Sequence, residues 1–200
     1  PRIVIGSRGS QLALTQSKAV GELLRDAAPG LDVEIEIIHT KGDKILDAPL
    51  SQIGGNGLFT RELEVALLEK RIDLAVHSLK DLPTELPEGL ALGCVPERED
   101  PHDVFVSAEY DTLDALPVGA SVGTSSLRRR AQLLAYRPDL NVVDLRGNID
   151  TRLRKVAEKR FDGAILARAG IVRIGRADAI RCCISEAVMI PATAQGALGI

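Results

Sequence analysis

Short apolar runs alternate along this chain with stretches whose apolar positions recur at helical spacing, the pattern of βα units around a largely parallel sheet. Arg2–Gly6 (RIVIG) reads as a first strand, and Ser10 opens a helix that runs to about Ala27 and closes at Pro29-Gly30. In DVEIEI, Val33, Ile35 and Ile37 alternate with acidic residues, which predicts a half-exposed strand. The spacing predicts an amphipathic helix from Phe59 to about Lys70, with further short strands at Asp73–His77 and Leu90–Val95. Between them, His39 to Gly57 holds four glycines and no sustained period, and a loop of that length is more often functional than idle. Its Gly54-Gly55-Asn56-Gly57 segment lacks the GxGxxG spacing and follows no strand, so it is a weak nucleotide signal.

Periodicity breaks at PEREDP (Pro96–Pro101), a polar segment bracketed by prolines that reads as a linker between domains. The alternation then resumes with Val104–Val106, a short helix near Leu113, and a strand at Ala120–Gly123. A helix from Ser126 to about Tyr136, a strand Asn141–Leu145, a helix Asn148–Arg160 and a strand Gly163–Ala167 follow. Pro191 marks a second break, and the stretch before it is the expected return crossing. The final AQGALGI carries no helix cap or polar tail and reads as an interruption.

The 200 residues are 45% hydrophobic and 26% charged, enough apolar surface for a core and unlike a disordered tail. No apolar run approaches the ~20 residues of a membrane span, and the N-terminus has no signal-peptide pattern. The expectation is a soluble, cytoplasmic α/β protein. Cys94, Cys182 and Cys183 form no CxxC pair, and three scattered histidines offer no metal cluster. The net charge of −3 conceals an asymmetry. From Ser121 to Arg181 there are 14 basic and 6 acidic residues, a local net of +8, and 12 of the bases are arginine. Arginine's fork suits two-bond recognition of carboxylate or phosphate, so this half is expected to hold a polyanion rather than only a solvated basic face.

Three strand-to-helix turns share one construction: Arg8-Gly9-Ser10, Thr124-Ser125-Ser126 and Arg146-Gly147-Asn148. Each sets a glycine or hydroxyl residue at a helix start, where free N–H groups and the positive dipole end favour anions. Arg128 and Arg129 lie just inside the second helix. Ordinary N-capping accounts for the serines and asparagine but not for the repeated arginine. Lys80-Asp81 in HSLKDLP follows the DLAVH strand; such a pair is often a surface ion pair, but it also suits proton chemistry or stabilisation of a cation. His77 reads as a packed strand residue. No GxSxG or HExxH motif supports a hydrolase or zinc protease.

The runs GSRGSQLALTQ, GLFTRELEVALLE, AVHSLKDLPTELPEGL, EREDPHDVFVS, GTSSLRRRAQL, LRGNIDTRL and PATAQGALGI resemble the porphobilinogen deaminase (hydroxymethylbilane synthase) family, in the family's order over essentially the whole chain. The resemblance implies two α/β domains of the type II periplasmic-binding-protein kind, each a mainly parallel sheet flanked by helices, with a cleft between them. Domain 1 is then expected at 1–96 plus 190–200 and domain 2 at 100–188, with the family's third, cofactor-bearing domain absent from this sequence. It implies a cytoplasmic, monomeric transferase of tetrapyrrole (haem) biosynthesis, with no nucleic-acid or membrane partner. That enzyme joins four porphobilinogen molecules head to tail, releasing ammonia, to give hydroxymethylbilane on a dipyrromethane cofactor bound to a cysteine of the third domain. These 200 residues by themselves are therefore expected to show no sustained turnover.

Position by position, Asp81 matches the family's catalytic aspartate, which contacts pyrrole nitrogens and helps stabilise cationic azafulvene-like intermediates. Lys80, Arg128, Arg129, Arg146, Arg152 and Arg173 match its basic residues for acetate and propionate side chains. Arg8 is expected near the incoming substrate, Ser10 near the cofactor, and Phe59 close to the pyrrole rings. Ser78, Thr124, Ser125 and Ser126 match polar groups of the same lining, and Gly147 and Asn148 join the cofactor set; no metal is implied. Asn56 departs from the lysine common at that place, and none of the three cysteines sits in the family's attachment motif. Two other readings stay open on the residues themselves. An anion-binding module on the same fold has little use for Asp81, and a nucleic-acid binder lacks aromatics to stack on, with three Phe, two Tyr and no Trp.

Overall fold

In the computed structural model, residues 1–40, 42 and 59–200 are described. Most of the stretch read as a long loop, 41 and 43–57, with Asn56, lies outside them. The chain divides into two compact units, Pro1–Arg98 with Ala197–Ile200, and Glu99–Gly196.

In the first unit, β1 (Arg2–Ser7) lies between β2 (Asp32–Ile37) and β3 (Leu74–Ala75), all parallel. The central strand is apolar and buries Ile5, while β2 is buried at Val33 and half exposed at Ile37, as its alternation requires. Helix α1 (Gln11–Ala27) turns Ala13, Gln16, Ser17, Val20 and Gly21 inward. Helix α2 (Arg61–Leu68) sets Leu63 and Ala66 against Ile38, Ile72 and Ala75. The strand expected at Asp73–His77 divides after Ala75. Its second part, β4 (His77–Ser78), pairs antiparallel with β10 (Leu198–Gly199), a strand with no local signal. Leu90–Val95 is not a strand. Gly93 and Cys94 both donate to the Ile200 carbonyl, at 2.7 and 3.2 Å, and Ile200 donates to Cys94, so one residue serves as the whole partner.

The second unit holds a five-stranded mixed sheet in the order β7-β6-β8-β5-β9. Strands β6 (Ser121–Gly123), β7 (Asn141–Val143) and β8 (Gly163–Ala167) run parallel. Strands β5 (Asp103–Val106) and β9 (Cys182–Cys183) complete it antiparallel. Helices α3 (Leu127–Tyr136), α4 (Ile149–Ala157) and α5 (Arg168–Arg173) follow β6, β7 and β8; α5 and β9 had no sequence expectation. The core gathers Phe105, Val122, Leu133, Val142, Ile165 and Met189. The helix expected near Leu113 is absent: 111–119 is turns and bends. Pro117 is the cause, since a helical proline clashes with the carbonyl four residues back, here that of Leu113. Leu113 and Leu116 are nonetheless buried and anchor the turns. β7 also ends two residues early, and Leu145 packs against Gly123, its Cβ 3.0 Å from where a side chain there would begin.

Gly196 has φ +89°, and a Cβ there would fall 2.2 Å from the Glu99 carbonyl oxygen. Gly30, at φ +87°, has open space around it. In urea unfolding of the full-length protein, Gly196→Ala should therefore cost roughly 2–4 kcal/mol and Gly30→Ala about 1 kcal/mol. Equal costs would show that the Glu99 segment yields.

Candidate functional site

In parallel α/β sheets, ligand groups collect at the carboxyl ends of the strands. In the first unit that edge is built by the turns after β1 and after β4. Ser10 caps α1, its Oγ accepting the Ala13 N–H at 3.3 Å, and this leaves Arg8 in the preceding turn. The Arg8 guanidinium stacks on Phe59, 4.2 Å from the ring centroid. After β4, a short 3₁₀ turn (Leu79–Asp81) carries Lys80 and Asp81, both exposed. Arg8, Ser10, Gln16, Phe59, Ser78 and Asp81 line one small cavity of about 50 Å³, together with His77. Residues from three separate stretches of chain thus meet there.

A larger cavity of about 620 Å³ in the same unit is walled mostly by leucines, glycines and alanines, with Glu64, Asp73 and His77 among its few ionisable groups. It lacks the convergent polar groups that orient a charged ligand. The convergent polar groups line the smaller one.

Gln16 was not foreseen. It is buried on the inner face of α1, and its Nε2 donates to Ser78 Oγ at 3.0 Å. With its oxygen accepting from Gln16, Ser78 retains its own proton to donate. The visible signal was an amide among small and apolar residues on one helix face.

In the second unit, the turns after β6 and β7 share one sheet edge because those strands are parallel neighbours. Ser126 Oγ accepts the Arg129 N–H at 3.4 Å, Thr124 Oγ1 accepts the Ser126 N–H, and Ser125 Oγ donates to the Leu145 carbonyl. Asn148 Oδ1 caps α4 through the Thr151 N–H at 2.9 Å. Gly147 sits at φ +109°, where a Cβ would strike Thr151 at 2.7 Å, so the turn requires glycine. Arg152 Nε donates to the Gly147 carbonyl at 2.7 Å and Lys155 to that of Arg146, drawing two cations over this turn. Arg173, on α5, donates to the Gly196 carbonyl at 2.6 Å, and burial pulls its guanidinium below its ordinary value.

Arg128 and Arg129 reach back to β5, where both ion-pair with the fully buried Asp103. Gln195 Nε2 donates to the same carboxylate at 2.9 Å. Asp103 and Gln195 also escaped the sequence reading, though an acidic residue heading the wholly apolar run VFV was a signal. Burial pulls the Arg129 guanidinium down and Asp103 pulls it back up; as an arginine it stays protonated. Of the cysteines, Cys94 and Cys183 are exposed, while burial and then neighbouring Cys183 push the Cys182 thiol up. Among the described residues no cluster of His, Cys, Asp or Glu has metal-holding geometry, and no helix is long and apolar enough to cross a membrane.

The family model "Porphobilinogen deaminase, dipyromethane cofactor binding domain" matches residues 3–200. The chain belongs to the porphobilinogen deaminase family. The porphobilinogen deaminase of Nitratidesulfovibrio vulgaris (strain Miyazaki F) is 56% identical over 199 residues, covering 100% of this chain and 63% of the relative. That of Pelotomaculum thermopropionicum is 56% identical over 198 residues, covering 99% and 64%. The chain thus spans under two thirds of the length of these relatives. Solved structures show the same type II periplasmic-binding-protein-like fold. The methionine binding protein MetQ has a TM-score of 0.55 at 15% identity, covering 100% of this chain and 81% of its own. A periplasmic substrate-binding protein of an ABC transporter from Coxiella burnetii has 0.54 at 15%, covering 99% and 84%.

His77 is partly buried, and desolvation, then the charge of Arg8, lowers its pKa from 6.5 to about 4. The unfolded chain takes up this proton near pH 6.5 and the folded chain only near pH 4, so stability falls as pH falls through that window. The loss attributable to His77 approaches about 3 kcal/mol. Urea unfolding of full-length protein between pH 7 and 4 should show His77→Gln losing less stability than the parent. Superimposable profiles would mean that His77 protonates freely in the fold.

Proposed function

We propose that the full-length protein is a hydroxymethylbilane synthase of tetrapyrrole biosynthesis. It joins four porphobilinogen molecules head to tail, with release of one ammonia at each addition, as a cytoplasmic monomer with no nucleic-acid or membrane partner. The observation that carries this reading is the cavity of the first unit, where Asp81 meets Arg8, Ser10, Ser78 and Phe59 in a chain of this family. The two compact units serve as the two domains.

The dipyrromethane cofactor carries acetate and propionate groups, and the second unit fits such a polyanion. One buried carboxylate, Asp103, faces two guanidiniums, which leaves a positive excess where Arg128 is 26% exposed. Thr124, Ser125, Ser126, Arg128, Arg146, Gly147 and Asn148 hold the cofactor in this reading, with Arg129 enclosed behind Arg128 as its support, and with Ser10, Ser78 and Lys80 from the first unit. When bound, the cofactor supplies the pyrrole carbon to which new units are joined. Arg8, Phe59, Arg146, Arg152 and Arg173 receive porphobilinogen: the arginines take its two carboxylates and Phe59 faces its ring.

Loss of ammonia from porphobilinogen leaves an electron-poor methylene carbon whose positive charge is shared with the pyrrole nitrogen. A carboxylate fixed near that nitrogen stabilises the charge as it develops, which lowers the barrier rather than only tightening binding. The same oxygen accepts the proton released on coupling. An anion trap on the same fold would not set a carboxylate among its anion-holding groups.

In full-length protein with cofactor loading checked by intact mass, Asp81→Asn should slow turnover ~10²-fold or more. Asp81→Glu, which keeps a displaced charge, should retain more activity. Turnover of loaded Asp81→Asn within a few-fold of the parent would make Asp81 structural.

A further inference from the structure

Asp103 opens β5 with no exposure to solvent, and four donor contacts converge on it. Arg129 Nε and Nη2 reach Oδ1 at 3.1 and 2.8 Å, and Gln195 Nε2 reaches the same oxygen at 2.9 Å. Arg128 Nη2 takes Oδ2 at 2.6 Å. The two arginines, adjacent in sequence, are held differently. Arg129 is 6% exposed and spends further N–H groups on the Ile165 carbonyl and on Gln195 Oε1. Arg128 is quarter-exposed, and its other hydrogen bond is to the Ile190 carbonyl. Gln195 is itself fixed by the Pro101 carbonyl at 2.7 Å.

One carboxylate cannot neutralise two guanidiniums, and with Arg129 enclosed, the surplus charge is presented along the open edge of Arg128. We infer that Asp103 is a positioning residue for carboxylate recognition in this unit. It does not meet the ligand; it orients the Arg128 fork before the ligand arrives, with Arg129 as the anchoring cation and Gln195 as the brace. An arginine fixed in this way loses less side-chain freedom on binding than a free one, so the gain is in affinity. This assignment rests on the reading of Arg128 as a carboxylate receptor. It predicts an effect on cofactor loading, separate from the step at Asp81.

The test uses the full-length protein and Asp103→Asn, which keeps shape and removes charge. Because that change strands two buried cations, a second variant, Asp103→Asn with Arg129→Gln, removes both members of the enclosed pair. In either variant the fraction of protein carrying the cofactor, read by intact mass after reconstitution, should fall at least about tenfold, while kcat of the loaded fraction moves less than about threefold. Hydrogen exchange at the Arg129 Nε–H, read by NMR without substrate, should accelerate at least about tenfold in Asp103→Asn. A folded variant that loads cofactor to within about twofold of the parent, or unchanged Nε–H exchange in Asp103→Asn, overturns the inference. A parent protein inert on porphobilinogen counts against the functional reading, and the exchange measurement still decides whether Asp103 holds the arginines.

Discussion

A carboxylate with no access to water must find its countercharge inside the fold, and Asp103 draws its partners from two other parts of the chain to do so. It heads β5, which lies between β8 and β9. Through Arg128 and Arg129 it fixes the first turn of α3, and through Gln195 it ties down the segment that returns to the end of the unit. Removing one member of such a group would leave a buried charge uncompensated, at about 3–5 kcal/mol. The arrangement therefore serves stability and charge display together: the enclosed pair is neutral, and the second arginine carries what is left over.

The first unit solves a different electrostatic problem. Its cavity holds a cation, Arg8, and an anion, Asp81, close to a histidine that burial keeps neutral. A protonated His77 would crowd Arg8 with a second positive charge, and desolvation prevents it down to about pH 4. Upstream of Asp81 the chain changes partners, from parallel pairing with β1 up to Ala75 to antiparallel pairing with β10 at His77 and Ser78. That change ends the strand early and lets a single 3₁₀ turn carry Lys80 and Asp81 at the sheet edge.

Much of this was legible in the chain because its causes are local. Apolar alternation marked β1, β2, β5, β6 and β8. Serine and asparagine at helix starts marked α1, α3 and α4, and the caps at Ser10, Ser126 and Asn148 form the bonds that such residues make. The motif resemblance then gathered the polar and basic residues of the strand-end turns into one family pattern. Pro117 was equally visible, and its consequence for Leu113 follows from sterics alone, though the helical spacing around it concealed this.

What the sequence did not disclose depends on partners far away along the chain. β10 and the end of β3 exist only because Leu198 and Gly199 come alongside His77 and Ser78. In the Leu90–Val95 run, Leu90 bonds to the nearby Pro87 carbonyl and Gly93 and Cys94 bond to Ile200, so an apolar run suited to a strand remains irregular. The same reason governs the arginines. Residue type and spacing determined by themselves that Arg128 and Arg129 stand at a helix start in a basic half of the chain. Only the tertiary structure, by burying Asp103 and Gln195 against them, decided that one is enclosed while the other keeps an edge toward solvent, because the environment of a charge is set by what folds over it.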